Sequence, residues 1–200
     1  MLSNRSSAAA VLLPDNTIMV SGGWDGNTYL RSTELYDGDG WIFGQDLPSG
    51  VVGHCTVYLP GYGVFLVGGN IGGGIAVPDT YGYDLDTGLW VQKASMAAPR
   101  RDHACSAYDG EIWVGGTKWL ADTTEVFNAE RDEWRAGPQL PYQADYPGEF
   151  VSHGKLLFYV GGEGEKKIHR LNEGKDGWIY VSNYLYYSAH DDGDPNSYPH

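Results

Sequence analysis

The side chains that most often carry catalysis or bind metals are scattered along this chain. The six histidines follow no ligand spacing and stand at His54, His103, His153, His169, His190 and His200. The sequence contains no Gly-x-Ser-x-Gly nucleophile motif, no His-Glu-x-x-His motif and no zinc-type cysteine spacing. We therefore predict no catalytic constellation, no metal site and no cofactor, and we expect that the chain is not an enzyme.

Three other groups suggest chemistry at first sight, and each has a simpler interpretation. Glycines 72–74 resemble a phosphate cradle, but no Lys-Ser/Thr pair follows them, so we interpret them as a flexible loop. Asp109 and Glu111 are close enough in sequence to form a carboxylate pair, but they belong to a predicted turn. The acidic run 191–196 does not fit an EF-hand loop, which favours a disordered end over a metal site.

The two cysteines, Cys55 and Cys105, occur at the start of two similar apolar runs. A pair of cysteines does not make a disulfide framework of the kind found in small secreted domains. We predict that both are buried thiols, because an isolated cysteine in a core strand behaves as a small apolar residue. A catalytic nucleophile is the alternative interpretation.

The overall charge narrows the classes of partner. The formal net charge is −13, which argues against nucleic acid and anionic lipid as main partners. The sequence contains no run of eighteen apolar residues, so we predict no membrane span. Residues 1–5 do not resemble a signal peptide, and a cytoplasmic location is slightly favoured over a secreted one.

A double glycine at the end of a short apolar run organises the chain. It begins at positions 22, 68, 115 and 161, which are 46, 47 and 46 residues apart. A tryptophan follows each glycine pair, at Trp41, Trp90, Trp134 and Trp178. In the first three copies an aromatic residue before Asp or Asn stands between the two markers, as in Tyr36-Asp37. A period in this range indicates a propeller or a solenoid.

The three markers, in this order, resemble the kelch repeat over about residues 5–185. The resemblance implies an all-β protein, a kelch-type β-propeller of about four four-stranded antiparallel blades. The repeats are predicted at about 5–45, 51–93, 99–136 and 145–184, within a domain spanning 1–185. Residues 186–200 are a polar tail or the start of a further repeat. Because kelch propellers usually have more blades, we expect an arc of adjacent blades that forms part of a propeller.

The blade topology predicts which loops lie together. In an antiparallel meander, the loop after the double glycine and the linker to the next blade emerge on one face. The predicted binding residues of this face are Trp24, Arg31, Arg100, Arg101, Lys118, Trp119, Tyr142 and Tyr146. Trp, Tyr and Arg are enriched at binding hot spots. The structural alternatives are that Trp24 and Trp119 cover the blade and that the two adjacent arginines pair with carboxylates of the scaffold.

These observations favour a protein-interaction module that binds a partner through the loop face of the propeller. The arginines and Lys118 on an acidic body suggest that the partner presents an acidic segment. The alternative is a propeller domain active on a glycan or a small molecule, such as part of an enzyme similar to copper radical oxidases. Histidines and carboxylates lining the axis would favour that alternative.

Overall fold

The computed structural model describes residues 1–84, 86–117, 122–142, 147–162 and 167–183. These residues form four antiparallel sheets of four strands, and no helix is assigned to them. Blade 1 contains β1 (Ala9–Leu12), β2 (Ile18–Ser21), β3 (Thr33–Tyr36) and β4 (Trp41–Phe43). Blade 2 contains β5 (Cys55–Leu59), β6 (Gly63–Val67), β7 (Thr80–Asp84) and β8 (Leu89–Lys93).

The second half of the chain repeats the arrangement. Blade 3 contains β9 (Ala104–Tyr108), β10 (Glu111–Gly115), β11 (Thr124–Asn128) and β12 (Glu133–Ala136). Blade 4 contains β13 (Pro147–His153), β14 (Leu156–Gly162), β15 (Lys167–Leu171) and β16 (Trp178–Asn183). Each sheet is a meander in which strands pair in sequence order. The predicted all-β fold with four four-stranded blades is confirmed.

The blades follow one another as an arc. Their first strands contact in series, β1 with β5, β5 with β9 and β9 with β13. Among the described residues, β1 and β13 make no contact of comparable extent. The first and fourth blades are therefore the two ends of the arc.

The core lies between the blades and is built by repetition. The leading row of a blade, defined as the cross-strand row that packs on the preceding blade, contains Val64, Tyr83 and Trp90 in blade 2. The trailing row packs on the following blade and contains Met19 and Leu35 in blade 1. Residues of these two rows belong to one apolar cluster. The same pairing of rows recurs between blades 2 and 3 and between blades 3 and 4.

The double glycines bring neighbouring blades close together. Gly22 has φ +59°, and a Cβ placed there would lie 2.5 Å from the carbonyl oxygen of Val51. Gly68 has φ +63° and meets the carbonyl of Arg100 at the same distance. In blade 3 this position belongs to Gly116, with φ +69°, because Gly115 still lies in β10. The glycine pair at 115–116 is thus shifted by one residue, which corrects the equivalence predicted from the sequence.

The two cysteines are joined by a disulfide, so the prediction of buried thiols is wrong. Cys55 in β5 and Cys105 in β9 have Cα atoms 6.2 Å apart, within the usual range for a disulfide. They occupy different positions of the repeat, since Ala104 is the counterpart of Cys55. Sequence alignment of the repeats could not reveal the pairing. The contact of neighbouring first strands brings the sulfurs together.

Candidate binding surface

The loop face is the surface formed by loops 22–32 and 68–79 and by linkers 44–54 and 94–103. The backbone ties its loops and linkers together. Ser6 and Trp24 exchange two backbone hydrogen bonds of 2.9 and 2.8 Å, and Val52 and Asn70 exchange two of 3.0 and 2.8 Å. The segment that enters blade 1 and linker 44–54 therefore pair with the loop that follows the double glycine of the blade they enter, whereas Arg100 of linker 94–103 pairs with Val77 in the loop of the preceding blade. Side chains on this face project from a fixed backbone.

Two aromatic side chains of blade 1 lie on the loop face. The rings of Trp24 and Tyr29 have centroids 5.1 Å apart, and both side chains are half-buried. The tip between them is held by Asp25, whose Oδ1 accepts hydrogen bonds of 2.7 Å from the amides of Asn27 and Thr28. The bonds from Thr28 and Asn27 hold the pKa of Asp25 below its usual value. The loop is thus organised by its own polar contacts.

The corresponding loop of blade 2 presents two isoleucines. Ile71 is 44% exposed and Ile75 is 62% exposed, on either side of the glycine triplet. The amide of Ile75 donates to the carbonyl of Gly72 at 3.0 Å, and Oδ1 of Asn70 accepts from the amide of Gly72 at 2.9 Å. The triplet therefore forms a tight turn that displays apolar side chains. This is a different role from a phosphate cradle.

The tip of this loop lies between blades 1 and 3. A Cβ placed at Gly72 would lie 3.8 Å from Cε2 of Tyr29, and one at Gly74 would lie 4.0 Å from Nη1 of Arg101. Side chains from three blades therefore form one surface. We call it the loop-face patch, and it consists of Trp24, Tyr29, Ile71, Ile75 and Arg101.

Arg100 lies inside blade 3 and is 1% exposed. Its Nη2 and Nε donate to Oε1 of Glu125 at 3.0 and 3.2 Å. Its Nη1 donates to the carbonyls of Gly116 and Thr123 at 3.2 and 3.1 Å. Burial lowers the pKa of Arg100, and the contact with Glu125 opposes that shift. Arg100 was predicted either to bind a partner or to pair with a carboxylate of the scaffold. The structure shows the pairing, and the ion pair with Glu125 joins the linker to its own blade.

Blade 1 contains the same arrangement in Arg5 and Glu34. Nη2 of Arg5 lies 2.7 Å from Oε1 of Glu34, and both side chains are at most 1% exposed. Its Nη1 donates to the carbonyls of Gly22 and Ser32 at 2.7 and 2.8 Å. Sequence reasoning missed both glutamates. The signal was present, because each glutamate follows a threonine at the same position of its repeat, as in Thr33-Glu34.

The other two blades fill this position differently. In blade 2 it holds Val51 and Tyr81, which belong to an apolar cluster with Leu47 and Leu66. In blade 4 the hydroxyl of Tyr142 donates to the carbonyl of Gly161, and its ring lies 5.5 Å from that of His169. The linker is therefore attached to its blade by a different pair of side chains in blades 2 and 4.

The remaining predicted binding residues fall into two groups. Arg31 is exposed, and its Nε donates to the carbonyl of Leu47 at 3.0 Å. The side chain of Arg101 is 27% exposed, and its Nε lies 3.9 Å from Oδ2 of Asp102. Three further predicted residues lie outside the described ranges, namely Lys118, Trp119 and Tyr146, and so does the tail 186–200. The structure thus brings Trp24 and Arg101 into one patch, with Arg31 at linker 44–54.

The opposite face has a cleft of about 450 Å³ beside blade 2. Tyr58, Tyr62, Tyr83 and Lys93 line it. Its floor includes Gly82, which stands where blades 1 and 3 have Leu35 and Val126, so a side chain is missing from the repeat at this point.

The part of the chain that the structure describes contains neither a metal-binding cluster nor a membrane-spanning helix. There is no group of three or more His, Cys, Asp or Glu side chains arranged to hold a metal ion. None of the described segments is a helix long and apolar enough to cross a membrane.

Comparison with known proteins supports the kelch-type repeat that the sequence markers predicted. The family profile of the Kelch motif matches residues 5–46. Spermatocyte protein spe-26 of Caenorhabditis elegans is 39% identical over 147 residues, which cover 70% of this chain and 25% of that protein. Kelch repeat and BTB domain-containing protein 12 of Danio rerio is 24% identical over 214 residues, covering 89% of this chain and 34% of that protein. The chain thus spans between a quarter and about a third of these relatives, and, with its four four-stranded blades, it belongs to the kelch-repeat family.

Proposed function

We propose that this chain binds a protein partner through its loop face, with the kelch array extending over residues 1–185. The observation that carries the proposal is the loop-face patch. Its Trp, Tyr and Arg side chains are of the types that dominate binding energy at protein interfaces, and two exposed isoleucines lie beside them. They come from three blades and are held by paired backbone, so little conformational freedom is lost when a partner binds.

We further propose that the partner presents an acidic segment. The chain has a net charge of −13, so an acidic ligand is repelled by most of its surface. Arg31 and Arg101 provide positive charge on the loop face, and Lys118 is predicted there. Arginine grips carboxylates through two parallel hydrogen bonds, which gives specificity as well as affinity. Isoleucines 71 and 75 beside Arg101 suit apolar residues next to the acidic ones.

The experiment compares Arg101→Glu and Ile75→Asp with Arg131→Glu, a matched change in an exposed turn on the opposite face. Tagged proteins capture partners from a lysate, and quantitative mass spectrometry compares the partner sets at low and high salt. We expect both loop-face variants to lose a common set of partners while their melting temperatures stay at the wild-type value. The proposal is rejected if these variants keep the wild-type partners, or if Arg131→Glu loses the same ones.

A second candidate function rests on the cleft of blade 2. Its tyrosines and the Lys93 ammonium suit a small neutral polyhydroxylated ligand, whose apolar face stacks on a ring while its hydroxyls form hydrogen bonds. Tyr62 is 46% exposed and provides an accessible ring. Glycan-array binding that disappears in Tyr62→Ala and persists in Arg101→Glu would favour this candidate over the loop face. We propose no catalytic activity for the chain.

A further inference from the structure

The cleft on the opposite face is built by blades 2 and 3 alone. Its lining residues belong to blade 2, apart from Ala129, which follows β11 of blade 3. Its volume of about 450 Å³ lies within the range of about 300–1,000 Å³ that is usual for small-ligand sites. The features that distinguish blade 2 from its neighbours at this point lie in strands β7 and β8.

Gly82 in β7 is a glycine that its backbone does not require. Its φ lies outside the left-handed region, so any residue could adopt this conformation. Blades 1 and 3 have Leu35 and Val126 at the same position of the sheet. A glycine inside a strand costs conformational entropy and packs no side chain. The reason for Gly82 therefore lies in what surrounds it.

In blades 1 and 3 the residue at this position covers a glycine of the neighbouring strand. A Cβ placed at Gly44 would lie 3.6 Å from Cδ1 of Leu35, and one at Gly137 would lie 3.3 Å from Cγ2 of Val126. Each of these glycines donates its amide at 3.0 Å to the carbonyl of the threonine that begins the third strand of its blade. The large and the small residue thus form a pair.

Blade 2 has exchanged the members of this pair. Lys93 stands opposite Thr80, the threonine that begins β7, and its Cε lies 3.1 Å from the place of a Cβ at Gly82. The stem of Lys93 therefore occupies the space that the side chain of Leu35 fills in blade 1. The exchange keeps an aliphatic cover over the glycine but ends it in an ammonium group, which lines the cleft.

The cleft carries a cationic donor and an anionic acceptor that do not pair. Within the described residues, Lys93 forms no ion pair, with Asp84 or with any other carboxylate. Oδ1 of Asp84 accepts hydrogen bonds of 2.9 and 3.3 Å from the amides of Asp86 and Thr87, which fixes the carboxylate. These bonds hold the pKa of Asp84 below its usual value. A carboxylate has about four acceptor sites, so Asp84 keeps capacity for a ligand.

We propose that Lys93 and Asp84 determine the specificity of the cleft, each by binding a hydroxyl of one neutral sugar whose apolar face lies on the ring of Tyr62. This assignment rests on the second candidate function. A hydroxyl both donates and accepts, so one ligand with two hydroxyls satisfies the ammonium and the carboxylate together. A sugar that carries a carboxylate is repelled by Asp84 and Asp86, which both line the cleft.

The experiment begins with a glycan array of neutral glucose-, galactose- and mannose-containing oligosaccharides and their uronic-acid counterparts. We expect the wild-type chain to bind neutral members and not the uronic acids. Calorimetric titration with the best neutral member then measures the variants. Lys93→Met keeps the stem and removes the ammonium, and Asp84→Asn keeps the oxygen that holds the turn. Each is expected to weaken binding about ten-fold, as the loss of a hydrogen bond to a charged group does.

Asp37→Asn is the matched control for the carboxylate. Asp37 is the counterpart of Asp84 in blade 1, and its Oδ1 accepts from the amides of Asp39 and Gly40, both at 3.0 Å. It does not line the cleft. This variant is expected to bind the array as the wild-type chain does.

Reversing the exchange provides the decisive test. Gly82→Val together with Lys93→Gly copies the pair Val126 and Gly137 of blade 3, where the neighbour on the second strand is also aromatic, as Phe65 is here. The packing already exists in the protein, so we expect the melting temperature, followed by circular dichroism, to stay near the wild-type value. Binding to the array is expected to be lost.

The outcomes separate this assignment from the candidate function on which it rests. A wild-type chain that binds no neutral glycan overturns both. Binding that Tyr62→Ala abolishes, but that Lys93→Met and Asp84→Asn leave unchanged, keeps the candidate function and overturns the roles of the two charged residues. A reversed pair at positions 82 and 93 that binds as the wild type does, or a preference for uronic acids, also overturns the assignment.

Discussion

Arg100 donates to the carboxylate of Glu125 across 3.0 Å inside blade 3, and neither side chain is more than 7% exposed. The guanidinium also donates hydrogen bonds to the backbone carbonyls of Gly116 and Thr123, so the ion pair attaches the linker to its blade. A buried ion pair of this kind pays a large desolvation cost, and apolar residues often replace it without loss of stability. Blade 2 is a natural instance, because Val51 and Tyr81 fill the same positions.

The first prediction follows from that replacement. Arg100→Met alone should lower the free energy of unfolding by about 3–5 kcal/mol, because it leaves Glu125 buried without its partner. The double change Arg100→Val and Glu125→Tyr copies blade 2 and should recover most of that loss. Urea unfolding at neutral pH measures both values. Arg101→Met, at the partly exposed neighbour, is the control and should change stability little. A double variant no more stable than Arg100→Met would contradict the prediction.

The fold could be predicted because the same sequence markers occur four times, so that each copy supports the interpretation of the others. Four glycine pairs and four tryptophans predicted the four blades and their strands, and no single position had to be interpreted alone. The site was harder. A sequence does not distinguish Arg100 from Arg101, since both precede the same strand, yet one is 1% exposed and the other lies on the loop face. Neighbouring side chains in extended backbone point in opposite directions. Which of two adjacent arginines points into the blade therefore depends on the exact alignment of the linker with the blade, and this alignment is seen only in the structure.

The second prediction separates two reasons for needing glycine. Gly68 has a positive φ, whereas Gly115 lies in strand β10, where a Cβ would stand 2.7 Å from the ring of Phe150. Gly68→Ala should therefore destabilise the protein whatever surrounds it, by the about 1–3 kcal/mol of a strained backbone or more. Gly115→Ala should be destabilising in the wild-type background and much less so with Phe150→Leu.

A double-mutant cycle in urea measures this difference. We expect a coupling of at least about 1 kcal/mol between Gly115→Ala and Phe150→Leu, because the two residues are in contact. Gly68→Ala with Phe150→Leu is the control and should be additive. Additivity in both cycles would show that Gly115 is not limited by packing against the next blade.

The third prediction concerns the bond between Cys55 and Cys105. The two residues are 50 apart in sequence, so reduction frees a long loop in the unfolded chain. By the chain-entropy argument, the reduced protein should be less stable than the oxidised one by about 4 kcal/mol. Urea unfolding of the oxidised and reduced protein measures the difference.

The oxidation state of these cysteines is checked by alkylating the unfolded protein. Two alkyl groups per chain should be added only after treatment with a reductant. The variant with both cysteines changed to alanine should unfold at the same urea concentration with and without reductant. Complete alkylation of protein kept under oxidising conditions would restore the interpretation of buried thiols.

The fourth prediction concerns acid. Burial lowers the pKa of His54 to about 4, and burial together with the charges of Arg100 and His54 lowers that of His103 to about 3. Nε2 of His54 lies 2.9 Å from Oγ of Ser21, while both ring nitrogens of His103 are buried without a hydrogen-bond partner in the described residues. Both rings are therefore neutral in the folded state at neutral pH.

An unfolded histidine has a pKa of about 6.5, so the unfolded chain binds more protons than the folded chain once the pH falls below that value. The contribution of these two histidines to the free energy of unfolding is therefore fully present above pH of about 6.5. It declines as the pH falls towards their pKa values in the folded protein. For His54 the full effect is about 3 kcal/mol. Urea unfolding between pH 7.5 and 5 should show the decline, and His54→Gln should make it less steep, because only the contribution of His103 then remains. His153→Gln, at an exposed histidine, is the control and should leave the slope unchanged. A slope that His54→Gln and His153→Gln affect equally would show that burial of His54 does not control the acid response.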